Sequence, residues 1–263
     1  MPEQIGLFDS LQDRQHHALY RKLYPFFGRT FIADSYSCRV GKGTHKAFTQ
    51  FFAYARKRGR NHTRTVWVLK CDIKKFFASI DQGILIQILQ KYIPDQDILW
   101  LLGQVIGSFS VRSNLAGGKV GLPLGNLTSQ LLVNIYMNEF DQFVKHTLKA
   151  KYYIRYADDF VLLSDYKKEL QETVPYMELF LKEQLKLTLH QDKTFIKTFA
   201  SGVDFLGWVH FPTHRVLRTS TKRRMFKRLQ ESKGQERAEA TRNSYLGLLS
   251  QGNAKLLSQK IRV

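Results

Sequence analysis

The stretch YIRYADDFVLL (residues 153–163) holds two alternating runs parted by a pair of adjacent carboxylates. Tyr153 and Arg155 fall on one face, Ile154 and Tyr156 on the other, and Val161 and Leu163 resume the alternation beyond the acids. A two-residue period belongs to a strand, so the pattern calls for two short strands with Asp158 and Asp159 at or near their turn. Turn aspartates are ordinarily solvated and unremarkable. Here neither Gly nor Asn adjoins the pair to favour a tight turn. Like charges this close also repel unless a cation or a proton relieves them.

The remaining chain mixes helical and extended patterns. DSLQDRQHHALYRKLYPFF (9–27) reads as a capped helix stopping near Pro25, and residues 35–57 as a Gly-broken loop followed by a helix. TVWVLKCDI (65–73) is apolar and β-branched, the signature of a buried strand. SIDQGILIQILQKYI (79–93) places Ile84, Leu85, Ile88, Leu89 and Tyr92 on one helical stripe with Asp81 as N-cap. GLPLGN is a turn-rich loop, capped by Asn126 or Thr128, before an amphipathic helix carrying Leu131, Leu132, Ile135, Tyr136, Phe140 and Phe143. A helix over roughly 165–184 with a kink at Pro175, a strand LKLTL (185–189) and a hairpin arm VDFLGWVHF (203–211) follow, and the basic C-terminal portion is helical. Helices mixed with an antiparallel hairpin make the class α+β.

Charge narrows the partner. With 41 Lys+Arg against 22 Asp+Glu the chain carries a net +19, an excess that favours a polyanion and nucleic acid above all. The excess concentrates in RKRGRNHTR (56–64) and RVLRTSTKRRMFKRL (215–229), neither of which contains an acid. No segment approaches the ~20 apolar residues that span a bilayer, so no membrane partner is expected. The N-terminus lacks a basic leader, and Cys38 and Cys71 have no metal or redox spacing, so a reducing cytoplasm is the expected location.

Asp72 ends the buried strand, where a charge is costly unless it caps the next turn, is paired or meets a cation. Two strands placing Asp72 beside Asp158 and Asp159 would gather three hard oxygen donors around one point. Such a set suits Mg²⁺ and phosphoryl transfer by two ions.

YADD followed by apolar residues resembles the catalytic motif of reverse transcriptases, and other segments follow in that family's order. CDIKKFF is similar to its first catalytic motif, GLPLGNLTSQ to its template-contacting loop and helix, LHQDKT to its lysine motif and FLGW to its primer grip. The likeness covers roughly residues 30–210, and NSYLGLLSQGNAKLL resembles the family's thumb. It implies a right-hand polymerase: partial fingers over 1–64, shortened at the N-terminus, a palm over 65–213 with a fingers insertion at about 82–120, and a thumb over 214–263.

The resemblance also implies roles. Asp72, Asp158, Asp159 and the Ile73 carbonyl would hold two Mg²⁺ ions, with Mn²⁺ as a substitute. Lys193 would protonate the departing pyrophosphate. Phe77 would act as the steric gate that selects deoxynucleotides, and Ser129 and Gln130 would meet the templating base and the incoming nucleotide. Arg39 and Lys42 are candidates to neutralise the triphosphate, with Arg60 and Arg64 behind them. Gly207 and Trp208 would position the primer, and Lys222, Arg223, Arg224, Lys227 and Arg228 would track the phosphates of the hybrid. Ser129-Gln130, where many relatives carry Gln-Gly, resembles the enzymes of diversity-generating retroelements. The implied partners are template RNA, a DNA or RNA primer, dNTPs and a small basic accessory protein. A non-catalytic RNA-binding remnant, a Mg²⁺-dependent nuclease, and an intron-encoded or phage-defence enzyme remain as alternatives.

Overall fold

The computed structural model describes residues 11–108, 112–113, 118–123 and 127–262. In chain order the elements are α1 (Leu11–Thr30), α2 (Thr44–Arg58), β1 (Trp67–Asp72), α3 (Phe76–Ser79), α4 (Gln82–Gln90), α5 (Gln96–Gly107), β2 (Arg112–Ser113) and β3 (Lys119–Val120). They continue with α6 (Leu127–Gln142), β4 (Tyr153–Tyr156), β5 (Asp159–Ser164), α7 (Lys167–Leu185), β6 (Phe195–Thr198), β7 (Val203–Phe205), β8 (Trp208–His210), β9 (Arg215–Leu217), α8 (Thr219–Ser232), α9 (Ala238–Leu249) and α10 (Lys255–Arg262).

The main sheet is antiparallel and ordered β4-β5-β1-β6, so the strand ending at Asp72 is flanked on both sides. Both faces of the sheet are covered. Leu69, Cys71, Phe160 and Leu162 enter a large core with α1, α4, α6 and α7. Val68, Val161, Leu163 and Ile154 enter a second core with Phe51 and Ala55 of α2. Side chains alternate along a strand, so Lys70 and Asp72 share the face of Val68 and extend its apolar stripe into a charged end. A smaller sheet, β7-β8-β9, follows, and Trp208, Leu217, Met225, Leu249, Ala254 and Ile261 form the third core with the last three helices.

The α+β class with an antiparallel hairpin is the observed architecture, and Asp81 caps α4 by accepting from the Ile84 N–H at 3.0 Å. Five expectations change. Pro25 does not stop α1, because Leu23, Phe27 and Phe31 are all buried and the core holds the helix through to Thr30. Residues 186–188 form no strand: α7 runs to Leu185, Lys186 is left-handed at φ 50°, and only Leu189 makes a bridge, to Ile73. The basic run starts as a strand, β9, before α8. α6 is buried on nearly every face rather than along one stripe, because Asn134, Asn138 and Asp141 find polar partners inside. Finally, α5 and β6 were not anticipated. Asn126 lies outside the described residues, whereas Thr128 is buried within α6.

Candidate active site

β1 and β5 pair in register with Asp72 directly opposite Asp159. Directly opposed residues project to one face with Cβ atoms about 4.5–5.5 Å apart. β4 and β5 pair Tyr156 with Asp159, leaving Ala157 and Asp158 as a two-residue turn. The turn is held to β1 by the Ile73 N–H, which donates to the Asp158 carbonyl at 3.2 Å. Asp72 is fixed from its other side, where the His190 N–H donates to its carbonyl at 2.8 Å. The same chain segment brings Lys193 Nζ to 3.0 Å from Asp72 Oδ1.

The turn forms without Gly or Asn because Ala157 itself adopts φ 55°. A left-handed alanine costs about 1–2 kcal/mol. Arg155 offsets it: Nη1 donates to the Ala157 carbonyl at 3.0 Å, a charge-assisted bond worth about 1.5–3 kcal/mol. The Arg155 guanidinium is fully buried and also makes a fork with Asp141, Nε to Oδ1 at 2.8 Å and Nη2 to Oδ2 at 2.7 Å. Tyr153 Oη donates to Asp141 at 2.7 Å, and Nη1 of Arg155 reaches Asn134 Oδ1 at 3.3 Å. Removing one partner of such a buried pair costs about 3–5 kcal/mol.

The carboxylates feel one another. Burial pushes the Asp159 carboxyl up to about 7, with the charges of Asp72 and Asp158 adding to the rise and Lys70 opposing it. Asp158 is raised as well, by burial first and then by Asp72. Lys70 Nζ sits 3.1 Å from Asp159 Oδ1, off the hydrogen-bonding direction, so this buried oxygen lacks a well-directed hydrogen bond among the described residues. The three acids are neighbours along the backbone, yet their side chains are not gathered around one point as expected. Among the described residues no three His, Cys, Asp or Glu form a ready metal cage. Lys193 and Lys70 instead hold Asp72 and Asp159. Hard oxygen donors, mutual repulsion and an under-bonded buried oxygen nevertheless fit a divalent cation.

The other expected residues are placed as follows. Phe76 is buried, whereas the half-buried ring of Phe77 packs on it edge-to-face at 5.4 Å. Ser129 is buried at the start of α6 and Gln130 is half-buried. Arg39 is turned to backbone carbonyls, those of Ile32 at 2.6 Å, Ser35 at 2.9 Å and Gly28 at 3.2 Å. Lys42 donates to the Ala33 carbonyl at 2.7 Å. Both cations therefore tie their own loop together, while Arg60 and Arg64 are exposed. Leu206 and Gly207, at φ 52° and 85°, join Phe205 to Trp208 in a two-residue turn whose twist suits a hairpin. Trp208 is buried in the third core, beneath the surface. Arg223, Arg224, Lys227 and Arg228 are exposed on α8, and Lys222 is half-buried.

Sequence reasoning missed Lys70, Asn134, Asp141 and Arg155. A lone cation inside the buried run WVLKCD was the legible sign of Lys70; Arg155 was read only as part of the alternation.

Residues 8–210 match the family model for reverse transcriptase (RNA-dependent DNA polymerase). The chain belongs to this family. Among relatives of the reverse transcriptase chain is protein YkfC of Escherichia coli, 27% identical over 243 residues, spanning 80% of this chain and 62% of that protein. Another is the group II intron-encoded protein LtrA of Lactococcus lactis, 25% identical over 209 residues, spanning 54% of this chain and 34% of LtrA. The chain thus covers less than two thirds of either relative's length. The right-hand polymerase fold is also that of telomerase from Candida albicans, solved with a fragment of telomeric RNA. That likeness has TM-score 0.56 at 14% identity over 95% of this chain and 47% of that one. Apo telomerase from Candida tropicalis gives TM-score 0.59 at 11% identity, over 83% and 44% of the two chains. Among the described residues no helix is long and apolar enough to cross a membrane.

Proposed function

We propose that this reverse transcriptase chain is an RNA-directed DNA polymerase that extends a DNA or RNA primer on template RNA. The observation that carries the reading is the register that sets Asp72 against Asp159 with Asp158 in the adjoining turn. Asp72, Asp158, Asp159 and the Ile73 carbonyl would hold two Mg²⁺ ions, or Mn²⁺ in their place, which when bound supply Lewis-acid charge for phosphoryl transfer. Residues 1–64 serve as partial fingers, 65–213 as palm and 214–263 as thumb. Phe77 limits space below the sugar and so selects dNTPs. Lys193, once released from Asp72, holds a proton at Nζ for the departing pyrophosphate. The exposed cations of α8 grip the hybrid backbone without reading its sequence. Catalysis is chiefly positioning and charge neutralisation.

The finer reading is a retroelement enzyme of the diversity-generating type, working in the cytoplasm with a small basic accessory protein. Ser129-Gln130 supports it. The match to LtrA favours a second reading, an intron-encoded type.

Primer extension on an RNA template with Mg²⁺, comparing dNTPs with rNTPs, tests the proposal. Extension with dNTPs is expected, lost in both Asp158→Asn and Asp159→Asn while circular dichroism stays unchanged. Primer shortening would indicate a nuclease, a gel shift without synthesis an RNA-binding protein, and synthesis by both variants would refute the site.

A further inference from the structure

Arg155 does more than pair with Asp141, because it also touches two segments far apart in sequence. On one side Nη1 holds the Ala157 carbonyl in the turn that presents Asp158. On the other, Nη2 donates to the Ser35 hydroxyl at 3.2 Å. The Arg155 backbone meets the same loop: its N–H donates to the Asp34 carbonyl at 3.0 Å, and its carbonyl accepts from the Tyr36 N–H at 2.9 Å. Ser35 also bears a load from the opposite direction, since its carbonyl accepts from Arg39 Nη1 at 2.9 Å. Asn134, which contacts Arg155, donates to the Ser37 carbonyl at 3.0 Å. An unbroken run of polar contacts therefore links Arg39 and its loop, through Ser35 and Arg155, to the turn before Asp159.

We propose that Arg155 is a positioning residue that fixes the 34–39 loop and the Ala157–Asp158 turn at one mutual distance. This rests on the polymerase reading above, in which the turn carries the metal-holding Asp158; the loop it is fixed to carries Arg39. A fully buried planar fork suits the task because it engages both partners at once while Asp141 neutralises it. A lysine keeps the charge toward Asp141 but lacks the fork, so it drops the loop or the turn.

The test uses Arg155→Lys and the double variant Arg155→Met/Asp141→Leu, which removes the buried pair as a unit and leaves no lone charge. The turn is read by hydrogen exchange at the Ile73 amide, whose acceptor is the Asp158 carbonyl. The β1–β5 ladder amides serve as the internal control, and kcat and dNTP KM are taken from primer extension. In Arg155→Lys, Ile73 should exchange about tenfold faster relative to the ladder. A kcat drop of about tenfold to a hundredfold, together with a raised KM, should accompany it. The double variant should behave the same way if it folds, and Arg155→Lys decides if it does not. Unchanged Ile73 exchange, or a loss of activity that only tracks a lower Tm at unchanged KM, overturns the proposal. A wild-type protein that extends no primer overturns the polymerase reading instead, and the exchange result still judges Arg155.

Discussion

Lys70 Nζ and Asp159 Oδ1 lie 3.1 Å apart, with the lysine side chain buried and two residues ahead of Asp72 on the same face of β1. The Lys70 side chain thus reaches Asp159 before any metal ion arrives. It does not fully compensate Asp159, whose carboxyl burial still pushes up to about 7.

That shift sets a pH dependence. Between about pH 4 and pH 7 the folded metal-free protein keeps a proton on Asp159 that the unfolded chain has already released. The folded state then binds more protons, so stability is greatest at the acid end and falls as pH rises through the window. Asp158, raised in the same direction, adds to the slope. Thermal melts in chelator should show Tm declining over this range once other groups are matched, and Asp159→Asn should flatten the decline. A slope identical in that variant would exclude Asp159 as its source.

Gly252 is where the chain passes against the Trp208 indole: a Cβ there would overlap the ring, and Trp208 is 1% exposed with nowhere to move. Gly252→Ala is expected to destabilise by about 1–3 kcal/mol, the usual cost of overpacking, seen as a lower denaturant midpoint. A wild-type midpoint would show that the helical C-terminal core yields.

Phe77 is half-buried and packs on Phe76 at the edge of the main core. Phe77→Ala should lower discrimination between dNTP and rNTP by about tenfold to a hundredfold in kcat/KM. Undiminished discrimination would move the gate elsewhere.

The exposed cations of α8 should contribute to binding through counterion release. Arg223→Ala/Arg224→Ala is expected to weaken binding to RNA–DNA hybrids of any sequence, and to lessen the slope of log K against log salt by about two. A weakening confined to one sequence would instead mean base readout.

Much of the frame was legible because it obeys simple periods. The alternation around Asp158 and Asp159 marked a hairpin, the apolar run before Asp72 marked a buried strand, and Asp81 marked a helix start. What was illegible depended on partners distant in sequence. The apolar residues from Leu131 to Phe143 marked α6 as amphipathic, yet Asp141 and Asn134 between them meet Arg155 from another element. LKLTL has a strand's alternation, but the core that holds Leu181, Leu185 and Leu187 ends a helix there. β6 is four residues long with an exposed Lys197, too short and too polar to show a period. Arg39 looked free for a triphosphate because its carbonyl acceptors at Gly28, Ile32 and Ser35 leave no mark in composition.

The connection between Tyr156 and Asp159 has no slack: two residues turn the chain, and a strand shows alternate sides. Adding or deleting one residue there would rotate all of β5 by half a turn, sending Phe160 and Leu162 into the core of Val161 and Val161 into theirs. The corner therefore sets the site by its length as well as by the acid it carries.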